Sequence, residues 1–309
     1  MKYKYSIIAL VAAVLLVFPA VAARAQQQGG NLEAFTFLRL DRSPVTSAMA
    51  GAGFSMTSGN AAYGAFGNPA AAAYMNNKVS AAVNYRSWGP GILDEQHITA
   101  AFAVKPIDKL AISAGFTKGI QPVLDESDTF HANDNNFSIG LSYRITDNIA
   151  IGLNGHYAFQ ELVKDYKLQG FAFDVIGHYH GENFNVAGGV VAIGPNVVSE
   201  QSGAYPLPSS AKIAGDYTLA MDAFKFTFAA DADYYFSGNF GVSGGATASY
   251  ADMVFLRTGA RYASANAAFP SHVAIGGGFK YSVVKLDVSY IAMNPIIGNS
   301  LMGGITLDF

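Results

Sequence analysis

Few residues in this chain are spaced for chemistry. Asp231 and Asp233 lie two apart, so in an extended strand their carboxylates share one face. Paired carboxylates do acid–base work when they flank a substrate bond, but no nucleophile or base accompanies these two. They read as a hydrated wall. His178 and His180 share a strand face in the same way, and His156 points with them from a neighbouring segment, which is raw material for a three-imidazole metal site. Tyrosine and glycine intervene and the register is open, so no metal is expected. Asp125, Glu126, Asp128 and Asp134 offer oxygen ligands suited to calcium, without EF-hand spacing, and read as a solvated acidic loop. No Gly-x-Ser-x-Gly elbow, phosphate loop or His-Glu-x-x-His pattern occurs. Gly51-Ala52-Gly53 lacks the strand and helix context of a dinucleotide site. Catalysis has no anchor, so the chain reads as a non-enzyme without cofactor.

The remaining candidates are binding and positioning groups. Arg257 and Arg261 alternate with Leu256, Thr258, Ala260 and Tyr262. If the apolar set faces lipid, the arginines face inward, since a lipid-facing arginine costs a few kcal/mol at mid-bilayer. Carboxyls or carbonyls near Asp41 are their expected partners. Pro69 holds Asn68 extended and removes a donor, marking a kink whose backbone groups need side-chain partners. Trp88, Pro90 and Ile92 form an apolar patch, read as outer aromatic girdle in preference to a partner surface.

The elements that must position these groups follow from composition and period. Hydrophobic residues make up 51% of the chain and charged ones only 13%, with mean hydropathy +0.22, a low charge for a water-facing surface. A net charge of −3 argues against nucleic acid as a partner. There is no cysteine, so disulfides are unavailable. Lys2 and Lys4, the apolar run Ile7–Val17 and Ala23-Arg24-Ala25 fit a signal peptide over 1–25. Beyond it, strict alternation recurs. Ile98, Ala100, Phe102 and Val104 oppose His97, Thr99 and Ala101; Phe137, Ile139, Leu141 and Tyr143 oppose Ser138, Gly140 and Ser142; Phe224, Phe226 and Phe228 oppose Lys225 and Thr227. The segments are about ten residues long, the length of a tilted membrane strand.

Alternation over 78–309 predicts about fourteen antiparallel strands in an all-β transmembrane barrel. Tight turns such as Thr146-Asp147-Asn148, Gly181-Glu182 and Ser282-Val283 alternate with longer links, among them 119–134, 160–167 and 194–208; only Ser237-Gly238 breaks the parity. Short turns on one side are periplasmic in outer-membrane barrels, which predicts a Gram-negative outer membrane with lipid as the outer partner and both termini periplasmic. Leu301, Gly303, Ile305 and Leu307 share a face that ends at Phe309, a closing aromatic suited to the barrel-assembly machinery. Residues 26–77 are rich in small residues yet carry Phe35, Phe37, Phe54, Tyr63, Phe66 and Tyr74. They read as a plug filling a cylinder too wide for side chains alone.

Two elements of that plug carry a family likeness. Ala48-Met49-Ala50-Gly51-Ala52-Gly53-Phe54 followed by Gly67-Asn68-Pro69-Ala70 resembles the hatch signature of the PorV/PorQ family, relatives of the FadL transporters. Phe255–Tyr262 and Leu286–Tyr290 look like the family's late strands. Gly51, Gly53, Asn68 and Pro69 are the residues that carry the hatch motif, and Ser58-Gly59-Asn60 stands where the family often has an acidic pair. The resemblance implies a docking or accessory component for secreted or envelope proteins, as in type IX secretion. The alternative it implies is a FadL-like channel for hydrophobic small molecules.

Overall fold

The computed structural model describes residues 33–89, 94–122, 130–163, 166–199, 203–264, 269–293 and 298–309. The predicted signal segment and Pro90, Ile92, Asp125, Glu126 and Asp128 lie outside them. Fourteen antiparallel strands close into a barrel. In chain order the strands are β1 (Val79–Trp88), β2 (Glu95–Ile107), β3 (Leu110–Ile120), β4 (Asn133–Arg144), β5 (Ile149–Val163), β6 (Tyr166–His180) and β7 (Phe184–Ile193), then β8 (Val197–Ser199) and β9 (Gly203–Tyr205). They continue through β10 (Ser210–Met221), β11 (Phe224–Tyr235), β12 (Phe240–Tyr250), β13 (Val254–Ala263), β14 (His272–Tyr281), β15 (Val284–Ala292) and β16 (Ser300–Asp308). β8 and β9 form a separate hairpin; all the others belong to the barrel.

Closure is made by β1 against β16, with Ser80 opposite Asp308 and Trp88 opposite Ser300. The carbonyl of Phe309 accepts from the backbone N–H groups of Lys78 and Val79 at 2.8 and 3.1 Å, finishing the seam. A closed sheet leaves no unpaired edge, the condition for strands in hydrocarbon. The period-2 pattern sorts the side chains as the sequence predicts. Ile139, Leu256 and Ile305 are exposed outward, whereas His97, Ser138 and Arg257 are buried. Outside, Phe116, Phe137, Tyr157 and Phe171 stand opposite one another across β3 to β6, a continuous aromatic row.

Three expectations change. The link 160–167 is strand, because Glu161 pairs Lys167 and Val163 pairs Tyr166, leaving only 164–165 between β5 and β6. The link 194–208 holds the β8–β9 hairpin. Both differences have one cause: Phe35 and Phe37 are buried with Ala158, Leu168 and Val197, so these extensions cover an apolar cluster at the long-loop end. The third concerns the chain's path. The Ala34 N–H donates to the Pro206 carbonyl at 2.9 Å at the long-loop end, while Lys78 joins Phe309 at the short-turn end. Residues 33–77 therefore run the length of the lumen, and the first described residues sit opposite the periplasmic terminus.

Candidate functional site between plug and wall

Two short helical turns give the plug its shape. Ser43 Oγ accepts from Val45 N at 3.2 Å and starts a turn over Pro44–Ser47; Asn68 Oδ1 accepts from Ala71 N at 3.2 Å and starts another over Pro69–Ala72. Both are N-caps followed by proline, which has no N–H to lose at that position. Asn68 Nδ2 also donates to the Phe54 carbonyl at 2.9 Å and lies 3.1 Å from His178 Nδ1. The glycine-rich element and Asn68-Pro69 thus meet in space. Gly51 and Gly53 have φ of +85° and +108°, a region where a side chain is strained.

The wall holds the plug through named polar groups. Asp231 accepts from Gly53 N and Phe54 N at 2.9 and 3.1 Å, so it is a backbone anchor and not a hydrated wall. Asp216 accepts from Ser55 Oγ at 2.6 Å, and Ser289 Oγ donates to Ser47 Oγ at 3.1 Å. Asn84 Nδ2 donates to the Arg42 carbonyl at 2.7 Å, and Arg86 to the Asp41 carbonyl at 2.7 Å. Burial and the neighbouring Arg86 pull Arg42 down to about 10, still protonated at neutral pH, and burial pushes Tyr63 up to about 12. Inward glycines let backbone approach backbone: a Cβ at Gly259 would lie 2.3 Å from the carbonyl carbon and oxygen of Met49.

Arg257 and Arg261 face the lumen, but their partners are in the wall and not near Asp41. Arg257 donates to Asp287 at 2.8 Å, with Lys285 3.2 Å from the same carboxylate. Arg261 donates to Asp233 at 3.1 Å and to Ser243 at 2.8 Å. Lys212 lies 3.5 Å from Asp231 and 3.4 Å from Asp233, so both carboxylates share one ammonium. The carbonyl of Asp41 is taken by Arg86, which sequence reasoning did not single out. A buried arginine needs acceptors wherever register brings them, and register is not written in the alternation.

His156 pairs with neither of the other histidines. It stands opposite Ala172, and His178 lies six residues further along β6, roughly 20 Å away. Instead His156 Nε2 meets Asp174 Oδ2 at 2.9 Å and Nδ1 meets Ser138 Oγ at 2.7 Å. That connectivity is the order of a nucleophile–base–acid relay, but Ser138 is only 2% exposed. Asp174 Oδ1 accepts from Ala192 N at 2.7 Å, where β7 bulges and Ala192 has φ +53°. Fixing this bulge accounts for the cluster. Among the described residues no group of three His, Cys, Asp or Glu is placed to hold a metal. Asp134 is buried within β4 and not in a solvated loop. Trp88 is also corrected: it is buried inside, edge-on to Phe269 at 5.4 Å, because it falls on the inward parity of β1. Phe309 is 60% exposed at the closing seam.

Between plug and wall remains a cavity of about 180 Å³. Leu38, Phe54, Met56, Phe66, Phe269 and Ile291 give it apolar surface, and Lys212, Asp233 and Arg261 give it polar patches. No protein-family profile and no curated protein sequence matches the chain. Solved structures do. The CymD monoaromatic hydrocarbon channel superposes with TM-score 0.60 at 13% identity, covering 86% of this chain and 97% of that one. The Pseudomonas putida toluene transporter TodX gives 0.58 at 12%, covering 89% and 96%. A Pseudomonas aeruginosa FadL homologue gives 0.56 at 12%, covering 86% and 98%. At such identity the likeness is one of fold, and it does not separate PorV/PorQ from other proteins that share it. The chain folds as a FadL-like closed barrel of the Gram-negative outer membrane.

Proposed function

We propose that the barrel is a conduit for hydrophobic small molecules, gated by its plug. One observation carries this reading: an apolar-lined cavity of about 180 Å³ survives between plug and wall, where a purely structural stopper would fill its space. The fold is shared with a monoaromatic hydrocarbon channel and a toluene transporter, which supports the same reading. The plug is tied by discrete hydrogen bonds such as those of Asp231 and Asp216, and such ties are reversible. The docking role implied by the sequence resemblance has no comparable support among the described residues.

Uptake of labelled toluene by cells whose outer membrane lacks other hydrophobic channels tests the proposal. Expression of this chain should speed uptake, and a rate equal to that of cells without it would overturn the reading. Because the chain has no cysteine, Ser47→Cys with Ser289→Cys can tie plug to wall where the two hydroxyls lie 3.1 Å apart. Oxidation should slow uptake and reduction restore it. Stoichiometric recovery of a protein partner from solubilised membranes would instead favour docking.

A further inference from the structure

A second recess, of about 230 Å³, opens at the long-loop end between the plug and β1, β2 and β4. It shares three lining residues with the inner cavity: Arg39, Leu40 and Phe269. Side chains that border two spaces stand between them, so these three form the partition. Trp88 borders the outer recess alone, and Tyr235 and His272 border the inner cavity alone.

The partition is held from both sides. Phe269, from the link between β13 and β14, meets Trp88 edge-on at 5.4 Å on the outer side and His272 at 5.0 Å on the inner side. Leu40 comes from the plug, where its N–H donates to the Phe37 carbonyl at 3.1 Å. Arg39 carries the polar ties. Its Nη1 and Nη2 each donate to one oxygen of Glu33, at 2.5 and 2.7 Å. Its guanidinium carbon lies 4.2 Å from the centre of the Tyr235 ring, within cation–π range. The Tyr235 hydroxyl accepts from Arg261 Nη2 at 2.5 Å, which fixes that ring to the wall. Both side chains of the Arg39–Glu33 pair are only 8% exposed, and a two-bond ion pair shielded from water resists opening more than a surface pair does.

We propose that Arg39 is the gatekeeper between the outer recess and the inner cavity and sets the breadth of apolar body that passes. The side chains of Leu40 and Phe269 are apolar and carry no polar tie, so a flat single ring passes by displacing them alone. A broader body must also move Arg39, which breaks two charge-assisted bonds. A hydrocarbon brings no acceptor to replace Glu33, so that loss is not recovered. The inference rests on the conduit reading and adds to it the side of entry and the residue that selects.

Because the chain has no cysteine, a single introduced thiol reports access. Ala61→Cys places one in the inner cavity and Gln121→Cys one in the outer recess. Each full-length variant in detergent is reacted with benzyl methanethiosulfonate and with its di-tert-butylated analogue, the outer thiol correcting for reagent reactivity. With Arg39 present, the benzyl reagent should react at the inner thiol about tenfold faster than the broad one. Arg39→Ala and, separately, Glu33→Gln should raise the inner rate of the broad reagent about tenfold and leave the outer rates unchanged. Where Arg39→Ala, which strands a buried carboxylate, fails to give a heat-modifiable barrel, Arg39→Met combined with Glu33→Gln removes both charges together. No preference for the narrow reagent, a broad-reagent rate unmoved by the variants, or equal gains at both thiols would each overturn the role of Arg39. Labelling reads access and not transport, so the two readings fail separately. Toluene uptake no faster than in cells without the chain, with the labelling preference intact, would overturn the conduit and leave Arg39 as the divider.

Discussion

Replacing Asp231 by asparagine removes the negative charge that holds the plug backbone while keeping the shape of the side chain. In the wild type, each carboxylate oxygen takes one backbone N–H, Oδ1 from Gly53 and Oδ2 from Phe54. Asparagine offers one acceptor oxygen, and its NH2 group faces the other N–H. The change costs one charge-assisted bond and weakens the second, about 2 kcal/mol in all. That equals roughly a thirtyfold rise in the population with this stretch of plug detached. Lys212 keeps Asp233, and the strand pairing of β11 is untouched, so the barrel itself should stay intact. Amide hydrogen exchange of the folded protein in detergent reads the effect at Gly53 and Phe54. The Ala71 amide, capped by Asn68, serves as an internal reference. Protection at Gly53 and Phe54 should fall about thirtyfold while Ala71 changes much less. Protection at both sites within about threefold of wild type would refute the idea that Asp231 anchors the plug.

Other perturbations test neighbouring parts. Gly259→Ala places a methyl where Met49 backbone already sits, so the plug must shift or the barrel lose about 1–3 kcal/mol; an unchanged melting temperature and unchanged protease access to Arg42 would contradict the close approach. Arg261→Gln leaves Asp233 with Lys212 alone and should cost about 3 kcal/mol in urea unfolding from vesicles. Adding Asp233→Asn should cost less than the sum of the two single changes, and strict additivity would mean that the pair is not coupled. Trp88 faces inward, so brominated lipid should quench its emission weakly; strong quenching would return it to the lipid-facing girdle.

How much of the site was legible differs from residue to residue. The inward placement of Arg257, Arg261, Asp231 and Asp233 was readable, because strand parity fixes a side for every residue whatever its neighbours are. Their partners were not. Arg261 reaches Asp233 across the whole of β12, and Arg257 reaches Asp287 across β14, separations of 28 and 30 residues. Trp88 was misplaced because alternation reads as strand only to about Ser87, whereas β1 continues to Trp88 and turns it inward. The Ser138–His156–Asp174 chain went unseen, since nothing local signals which rows three strands will bring level.

The amino-acid order alone determined a barrel, its number of strands and, Trp88 apart, which of the strand side chains named from it meet lipid, because in hydrocarbon every backbone group must pair and outward residues must be apolar. It also marked the plug, through small residues and the kink at Asn68-Pro69; that Asn68 caps a helical turn came from the fold. Only the folded cylinder decided the rest. Shear sets which inward rows coincide, so it chose the ion pairs, the anchor of the plug and the two recesses. The path of the plug from the long-loop end to the periplasmic end was likewise a tertiary outcome. It is fixed by where Phe35 and Phe37 find apolar cover, a choice made among distant strands that no local pattern encodes.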